Sequence, residues 1–564
     1  MIAIQKRWAH FRADRSREGG YVAIMTALLL IVLVGLAGFA VDVGHWYFVG
    51  QQEQNAADAA AMAGVTSLPA NLPGAQATAY KYSSANGFTN GAVGPKGETT
   101  TVTPVLGGSA TRLQVTVNQQ VTNFFGSLMG VPTTSVTRTA IADYSGPVPL
   151  GSPCNEFGGD PESTGIISAN CSAAGAFWAN VGSPNATKIS GDAYQDNVCA
   201  SGVDGCSGSA SGPNTDYDAN GYFYTVTLTR PVTNLHIQAF DPAMVVVGDT
   251  CTAAAANLTG AAALPLAHTL ASTPSVLPSV RYQPNTGSYC TGDNNLNSTT
   301  GLVNTQFSVR DPGVNAWNPN SWPVDLGSGC TQTFTGFNGD LSKALDTSAG
   351  ASYQPAVAAE FRRWVNLCTI SGTVPAGTYA VQVKTNGTGA QTAGGHNRFA
   401  LRAFGTGLGD NDVISVAGFN KMAMYANTPG GFTVRDYLAQ IPSGAKGQMF
   451  NVSLYDVGDG AVGNSTIQIL PPAESTPTTF AGCTGSGPAV GSGALTKCQI
   501  PVDGTYNGKW EVISVPIPST YSCTDTSITG CWVRLQFAYA SGSSAADTFS
   551  MTANINGDPV RLVQ

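Results

Sequence analysis

Apolar residues run from Val22 to Val41 with Thr26 as the polar interruption and Gly35 and Gly38 as small ones. At about 1.5 Å per helical residue, such a run spans the ~30 Å hydrocarbon core of a bilayer. The pattern then turns polar without a break. Trp46 and Tyr47 follow, where amphipathic rings favour a membrane interface. Next comes QQEQNAADAAAMAG, residues 51–64. Alanine is the best helix former, and its small side chain lets a neighbouring surface approach closely. One helix is therefore predicted, membrane-spanning over 21–41, wet beyond it, and ending near Gly64–Pro69. Its alanine-rich half is expected to pack on its own domain or on partner subunits. TAYKYSSANGFTNG predicts a second helix that stops at the Asn86–Gly87 turn.

Beyond residue 98 the period drops to two. TTTVTPVL (99–106), RLQVTVNQQVTNFF (112–125) and SVTRTAIADY (135–144) read as strands, with Leu113, Val115, Val117 and Val121 on one face. GPVPLGSP (146–153) has the composition of a linker. After it, short alternating segments are separated by Gly/Pro turns. They include YFYTVTLT (222–229), LHIQAFDP (235–242), TQFSVRDP (305–312), TYAVQVKT (378–385), NRFALRAF (397–404), MFNVSLYD (449–456), WEVISVPI (510–517) and CWVRLQFAY (531–539). TYAVQVKT and NRFALRAF are expected to pair across a glycine-rich connection, and Cys251–Asn304 is loop-like. This spacing predicts β-sandwiches or jelly rolls. Three segments end in an acidic turn, at Phe240–Asp241–Pro242, Arg310–Asp311–Pro312 and Tyr455–Asp456–Val457. Related units would give that pattern, and so would ordinary turn chemistry.

Charged residues make up 11% of the 564, against about 25% in an average soluble protein. The polar surface is therefore mostly uncharged, as in exported β-rich domains. A net charge of -8 argues against broad nucleic-acid binding. All twelve cysteines lie beyond residue 150, which points to disulfides in an oxidising compartment. Cys483 with Cys498, and Cys523 with Cys531, are spaced as local staples. Lys6, Arg7, Arg12, Arg15 and Arg17 precede the apolar run and predict a cytoplasmic N-terminus, with the bulk of the chain translocated. Signal-peptide cleavage near Ala37–Ala40 competes with an uncleaved anchor. Processing after Gly20, as in prepilins, would put Met25 where those proteins place a Glu.

The stretch from Ala40 to Gly64, AVDVGHWYFVGQQEQNAADAAAMAG, resembles the N-terminal signature of TadE/TadG-like proteins of Flp (Tad) pilus assembly. The family pattern is A-V-D-x-G, an aromatic, then Q-x-A-A-D-A-A-A-x-A-G. It is matched by Ala40, Val41, Asp42, Gly44, Tyr47, Gln54, Ala56, Ala57, Asp58, Ala59, Ala60, Ala61, Ala63 and Gly64. Asp42 is expected to cap a kink or meet a partner, or else simply to end the span. A helix followed by a small sheet also resembles a pilin-like head. The expected architecture is mainly β. A basic tail (1–20) and transmembrane helix (21–41) lead into a helix continuation with a small α/β head (42–146). Three β-rich or sandwich domains follow (147–304, 305–410, 411–564).

No sequence motif for a catalytic nucleophile, a zinc-binding helix or a phosphate-cradling loop is present, and no enzyme activity or cofactor is expected. The D-x-S-x-S metal motif of some TadG-like proteins is also missing from the sequence. Carboxylates at Asp456–Gly460 and Asp410–Asp412 are calcium candidates or hydrogen-bonded turns. Trp317, Trp322 and Trp510 are candidates for stacking on sugars or for the core. The resemblance implies a structural or assembly role, with the bilayer and other Tad pilus components or a second copy as partners through the helix. A surface adhesin binding glycans is the alternative.

Overall fold

The structure is a computed structural model. It describes residues 2–563 except 69–70, 96, 109–111, 145–147, 159–176, 207–212, 242–302, 314–317, 325–328, 338–343, 345–348, 362, 386–394, 430, 432, 459–460, 524–529 and 557–559. Residues 2–20 and a few strand residues are described in backbone only. Cys171, Cys251, Cys290, Trp317, Asp459 and nearly all of the loop-like 251–304 stretch lie outside the described residues. The chain forms two compact units: Met1–Leu68 with Pro73–Tyr144 and Val560–Gln564, and Ser145–Pro559 with Pro69–Leu72.

In the first unit, helix α1 runs unbroken over Ile2–Val65, and α2 over Leu72–Ala85. α2 stops at Asn86, whose N–H reaches back to Tyr82, and Gly87 follows with φ +93°. Strands β1 (Thr100–Leu106), β2 (Arg112–Thr122) and β3 (Thr133–Tyr144) form an antiparallel sheet in that order. A strand from far along the sequence, Val560–Leu562, adds to β3 at the sheet edge. Leu113, Val115 and Val117 are fully buried, and Val121 nearly so, on the face read from their alternation. The alternation follows from the pleat, which turns successive side chains to opposite faces.

The second unit is a two-sheet sandwich around one continuous apolar core. Eighteen of its strands fall into two sets of nine, and three short pieces lie outside them: Glu156–Phe157, which pairs with the strand at His396–Phe404, and Thr484–Ser486 and Gly493–Ala494. The first set is β4 (Pro149–Leu150), β5 (Phe177–Gly182), β6 (Tyr222–Leu228), β7 (Val232–Phe240), β8 (Thr305–Arg310), β9 (Thr331–Phe334), β10 (Trp364–Val374), β11 (Gly377–Thr385) and β12 (His396–Phe404). The second is β13 (Ile414–Phe419), β14 (Lys421–Pro429), β15 (Thr433–Gln440), β16 (Met449–Tyr455), β17 (Thr466–Leu470), β18 (Gln499–Pro501), β19 (Trp510–Pro516), β20 (Trp532–Ala538) and β21 (Ser544–Asn556). The terminal strand of the first unit is then β22 (Val560–Leu562). One sheet has the order β9-β8-β11-β6-β13-β4-β15-β20-β17-β18. The other runs β10-β7-β12-β5-β14-β21-β16-β19, extended by short pieces at Thr484–Ser486 and Gly493–Ala494.

Each strand of the first set has its counterpart nine places later, in the same sheet and with matching neighbours. The order mirrors about the β13/β4 and β5/β14 junctions, both antiparallel, as a local two-fold axis requires. The registers agree. Phe240 faces Trp364 on one side and Ala400 on the other, and Tyr455 faces Trp510 and Ser550 in the same way. The Phe240–Trp364 rings lie 5.5 Å apart at 52°, and the Tyr455–Trp510 rings 5.1 Å apart at 50°. Two of the three acidic turns thus mark equivalent strand ends. The third, at Asp311, ends β8, whose counterpart β17 ends at Leu470–Pro471, so there it is turn chemistry alone.

Several expectations change. Pro149–Leu150, read as part of a linker, is a strand held between β13 and β15, and Leu150 is fully buried. TYAVQVKT (β11) and NRFALRAF (β12) do not pair. They lie in opposite sheets. A domain boundary at 304/305 would fall inside the first repeat, and 410/411 lies in the connection from β12 to β13. Alternation along a strand reports which face is buried but not which sheet the strand joins.

Disulfides join Cys199–Cys206, Cys330–Cys368, Cys483–Cys498 and Cys523–Cys531, and Cys154 is also disulfide-bonded. Cys330 and Cys498 precede the equivalent strands β9 and β18, although their partners differ. Opening Cys483–Cys498, whose partners are 15 residues apart, by the double change Cys483→Ser and Cys498→Ser should lower unfolding free energy by about 3 kcal/mol. Denaturant titration of the oxidised variant against wild type reads this.

Candidate functional site: one face of the long helix

A single stripe of α1 meets the head. Gly38, Asp42, Val49, Glu53, Ala57, Ala60, Ala61 and Gly64 are buried at steps that keep to one helical face. The opposite surface of residues 21–41 is bare, with Leu30, Ile31 and Leu36 more than half exposed. The helix therefore changes surroundings along its length while keeping one register.

Asp42 is 2% exposed although it directly follows the apolar run. Its carboxylate accepts the backbone N–H groups of Phe124 at 2.7 Å, Phe125 at 3.1 Å and Gly126 at 2.7 Å. Those donors open a short 3-10 turn, Gly126–Met129, and would otherwise lack acceptors. One turn further, the Trp46 indole N–H donates to Asn123 Oδ1 at 2.7 Å. Asn123 in turn donates to Val131 O and Thr134 Oγ1. Asp42 is thus neither a kink cap nor a plain solvated helix position.

Gln54 Nε2 donates to Asp58 Oδ1 at 2.8 Å, one turn along, and reaches Thr139 O in β3 at 3.5 Å. Ala57 and Ala61 are fully buried, together with Ala56 and Ala60. Gly64 is required by contact: a Cβ there would lie 2.5 Å from Leu113 Cδ2 and 2.7 Å from Ala75 O. Gly44 and Tyr47 are not on this face. No atom would meet a Cβ at Gly44, and Tyr47 is 66% exposed. Glu53 escaped the sequence reading because a Glu beside three Gln looks solvated. It is fully buried against the sheet, with the Arg138 guanidinium as the nearby cation. Its place four residues after Val49 and four before Ala57 was the available signal.

A second polar cluster lies in the sandwich. Asp192 accepts from Tyr222 O–H at 2.5 Å, Gly182 N–H at 2.7 Å, Gln195 N–H at 3.0 Å and the Asn180 amide at 3.2 Å. Asp196 meets His396 Nε2 at 2.9 Å. A carboxylate pair beside a histidine suggests acid–base chemistry, but both carboxylates are fully buried. The cluster instead pins the 183–221 connection. That connection also crosses to the second repeat through Lys188, whose carbonyl accepts from Tyr455 O–H at 3.1 Å, and through Asp216, which accepts from Trp510 Nε1 at 3.0 Å.

The remaining candidates are committed elsewhere. Asp410 accepts from Thr233 N–H at 2.7 Å, Gly407 N–H at 2.9 Å and Arg230 at 3.0 Å. Asp456 is buried and accepts from Gly508 N–H. Trp322 is buried, and Trp510 packs on Tyr194 and Tyr455. Among the described residues, Glu474, Cys523 and Cys531 come together at metal-ligand distance, and the two cysteines are already joined to each other.

The class is that of a head carried on one membrane-length helix. Within it, residues 20–72 match the Tad family model, described as "Putative Flp pilus-assembly TadE/G-like". No curated protein and no solved structure matches the chain.

Gly64→Val should destabilise the head by about 1–3 kcal/mol through overpacking. Gly44→Ala, on the open face, should leave it unchanged or gain up to ~1 kcal/mol from helix propensity. Thermal melts of the two variants in detergent compare them. Burial, with help from Asp196, pushes the Asp192 carboxyl up to about 6, against the pull of His396, Tyr222 and Gly182. The folded state then holds this proton more tightly than an unfolded Asp at ~3.9, so the group's contribution to stability falls as pH rises from about 4 to 6. Unfolding free energy of Asp192→Asn, measured against wild type across that range, should shift in the variant's favour as pH rises.

Proposed function

We propose that the protein is a membrane-anchored structural or assembly component of a Flp (Tad) type pilus system. Its N-terminus lies in the cytoplasm and its duplicated sandwich outside. The observation that carries this reading is the continuity of α1. One uninterrupted helix presents bare apolar surface over 21–41 and then becomes the spine of the head. The family match covers this same stretch, and the family is structural rather than catalytic. The basic flank supports the orientation. The nine disulfide-bonded cysteines among the described residues of the sandwich and its loops support an oxidising location for it.

One face of the alanine-rich stretch is covered by its own sheet, and the bare apolar surface of the helix is concentrated over residues 21–41. That favours an envelope-anchored accessory over a subunit of the fibre core. Other pilus components or a second copy would then meet the chain through the anchor or the sandwich surface. A glycan-binding adhesin gains no support from Trp322 or Trp510, since both are packed.

Fractionation of native cells tests the reading. The chain should stay in alkali-washed membranes. Protease added outside intact spheroplasts should degrade the sandwich, and deletion of 21–41 should release the chain. Recovery in the soluble cytoplasm, or protection of the sandwich from external protease, would overturn it.

A further inference from the structure

The loop between β2 and β3 carries an unusual surface. Leu128 is 83% and Met129 76% exposed, with Phe124, Phe125 and Val131 also exposed. No charged residue occurs between Arg112 and Arg138. Exposed apolar clusters of this kind mark an interaction surface. The occupant is indicated by where the loop is fixed. Asp42 holds its N-terminal backbone beside the last residues of the apolar helix run. Gly38, inside that run, is in contact with it: a Cβ there would lie 2.6 Å from Phe125 Cγ. The Phe124 ring lies 5.1 Å from His45.

The backbone is also suited to a medium without water. Phe124, Phe125 and Gly126 donate to Asp42. Leu128 N–H bonds Phe125 O, Gly130 N–H bonds Ser127 O, and Val131 N–H bonds Gly126 O. The Ser127 hydroxyl donates to Phe124 O. Irregular backbone at membrane depth must satisfy its polar groups internally, and these groups do so.

We infer that the 124–131 loop is a second membrane contact, inserting Leu128 and Met129 into the lipid interface beside the point where α1 leaves the bilayer. This rests on the anchored reading above. Two contacts on one rigid unit fix the depth of the helix and its rotation about its own axis, which a lone helix leaves free. Tyr47 and Phe48, exposed on α1 just past Asp42, would sit at the same level.

The test uses the full oxidised chain, one copy per phospholipid nanodisc. A polarity-sensitive fluorophore is placed at Met129→Cys, at Val32→Cys within the span, or at Tyr82→Cys on α2. Nitroxide lipids carry the quencher either just below the headgroup or near the bilayer centre. The inference expects the Met129 label to be blue-shifted and to lose most of its emission to the shallow nitroxide. The Val32 label should be quenched by the deep one, and the Tyr82 label by neither. An unquenched Met129 label beside a quenched Val32 label overturns the loop contact and leaves the anchor standing. No quenching at either site overturns both. A Met129 blue shift that appears only with two copies per disc overturns the lipid assignment in favour of self-association.

Discussion

One helix carries two kinds of surface, and the rest of the first unit follows from where one gives way to the other. Over 21–41 the exposed side chains are apolar on every face apart from Thr26, and the run is long enough to cross a membrane. From Asp42 onward one stripe is reserved for the head, and the other faces mix polar residues with exposed Tyr47, Phe48 and Met62. A carboxylate at the change-over would be costly unless its oxygens were filled. The three N–H groups of 124–126 fill them, and Asp42 thereby ties the sheet to the helix at the level where the apolar run stops. Further along, small residues do the same work by contact. Ala57, Ala61 and Gly64 bring β2 and α2 against the helix backbone, and no side chain larger than hydrogen fits at position 64.

The sandwich solves a different problem. Large antiparallel sheets have edges, and edges invite further pairing. Two nine-strand repeats meet here through four ladders, three in one sheet and one in the other, so strand edges that a lone repeat would leave open become internal. The joint is interlocked: β4 of the first repeat is bonded between β13 and β15 of the second, while β13 pairs with β6 of the first. The repeats have diverged in their connections rather than their frame. The 183–221 connection of the first corresponds to the three residues between Pro429 and Thr433 in the second, and the longer one carries the buried Asp192 and Asp196 cluster.

The sequence exposed this architecture unevenly. The helix, its end near Gly64 and the buried face of β2 were readable, since each depends on local periodicity or on glycine and alanine content. The placement of Asp42 was not, because its partners lie some eighty residues away and nothing local distinguishes a bonded carboxylate from a solvated one. Glu53 was hidden for the same reason. The duplication left a trace in the Asp241 and Asp456 turns, but Phe240 against Tyr455 and Ala400 against Ser550 show how little identity a conserved register needs. Strand pairing was the least legible feature. Sequential strands often cross between sheets, and β11 and β12 are both buried enough to suit either one.

The sheet of the first unit is finished by β22, whose residues come after the entire sandwich in the sequence. During synthesis, β3 must therefore wait with an open edge until both repeats have been made. Such a distant pairing is slow to form, since the loop it closes is long. The head that grips α1 is for that reason complete only in molecules whose sandwich has been fully synthesised. The order of the chain thus builds a check on completeness into the fold.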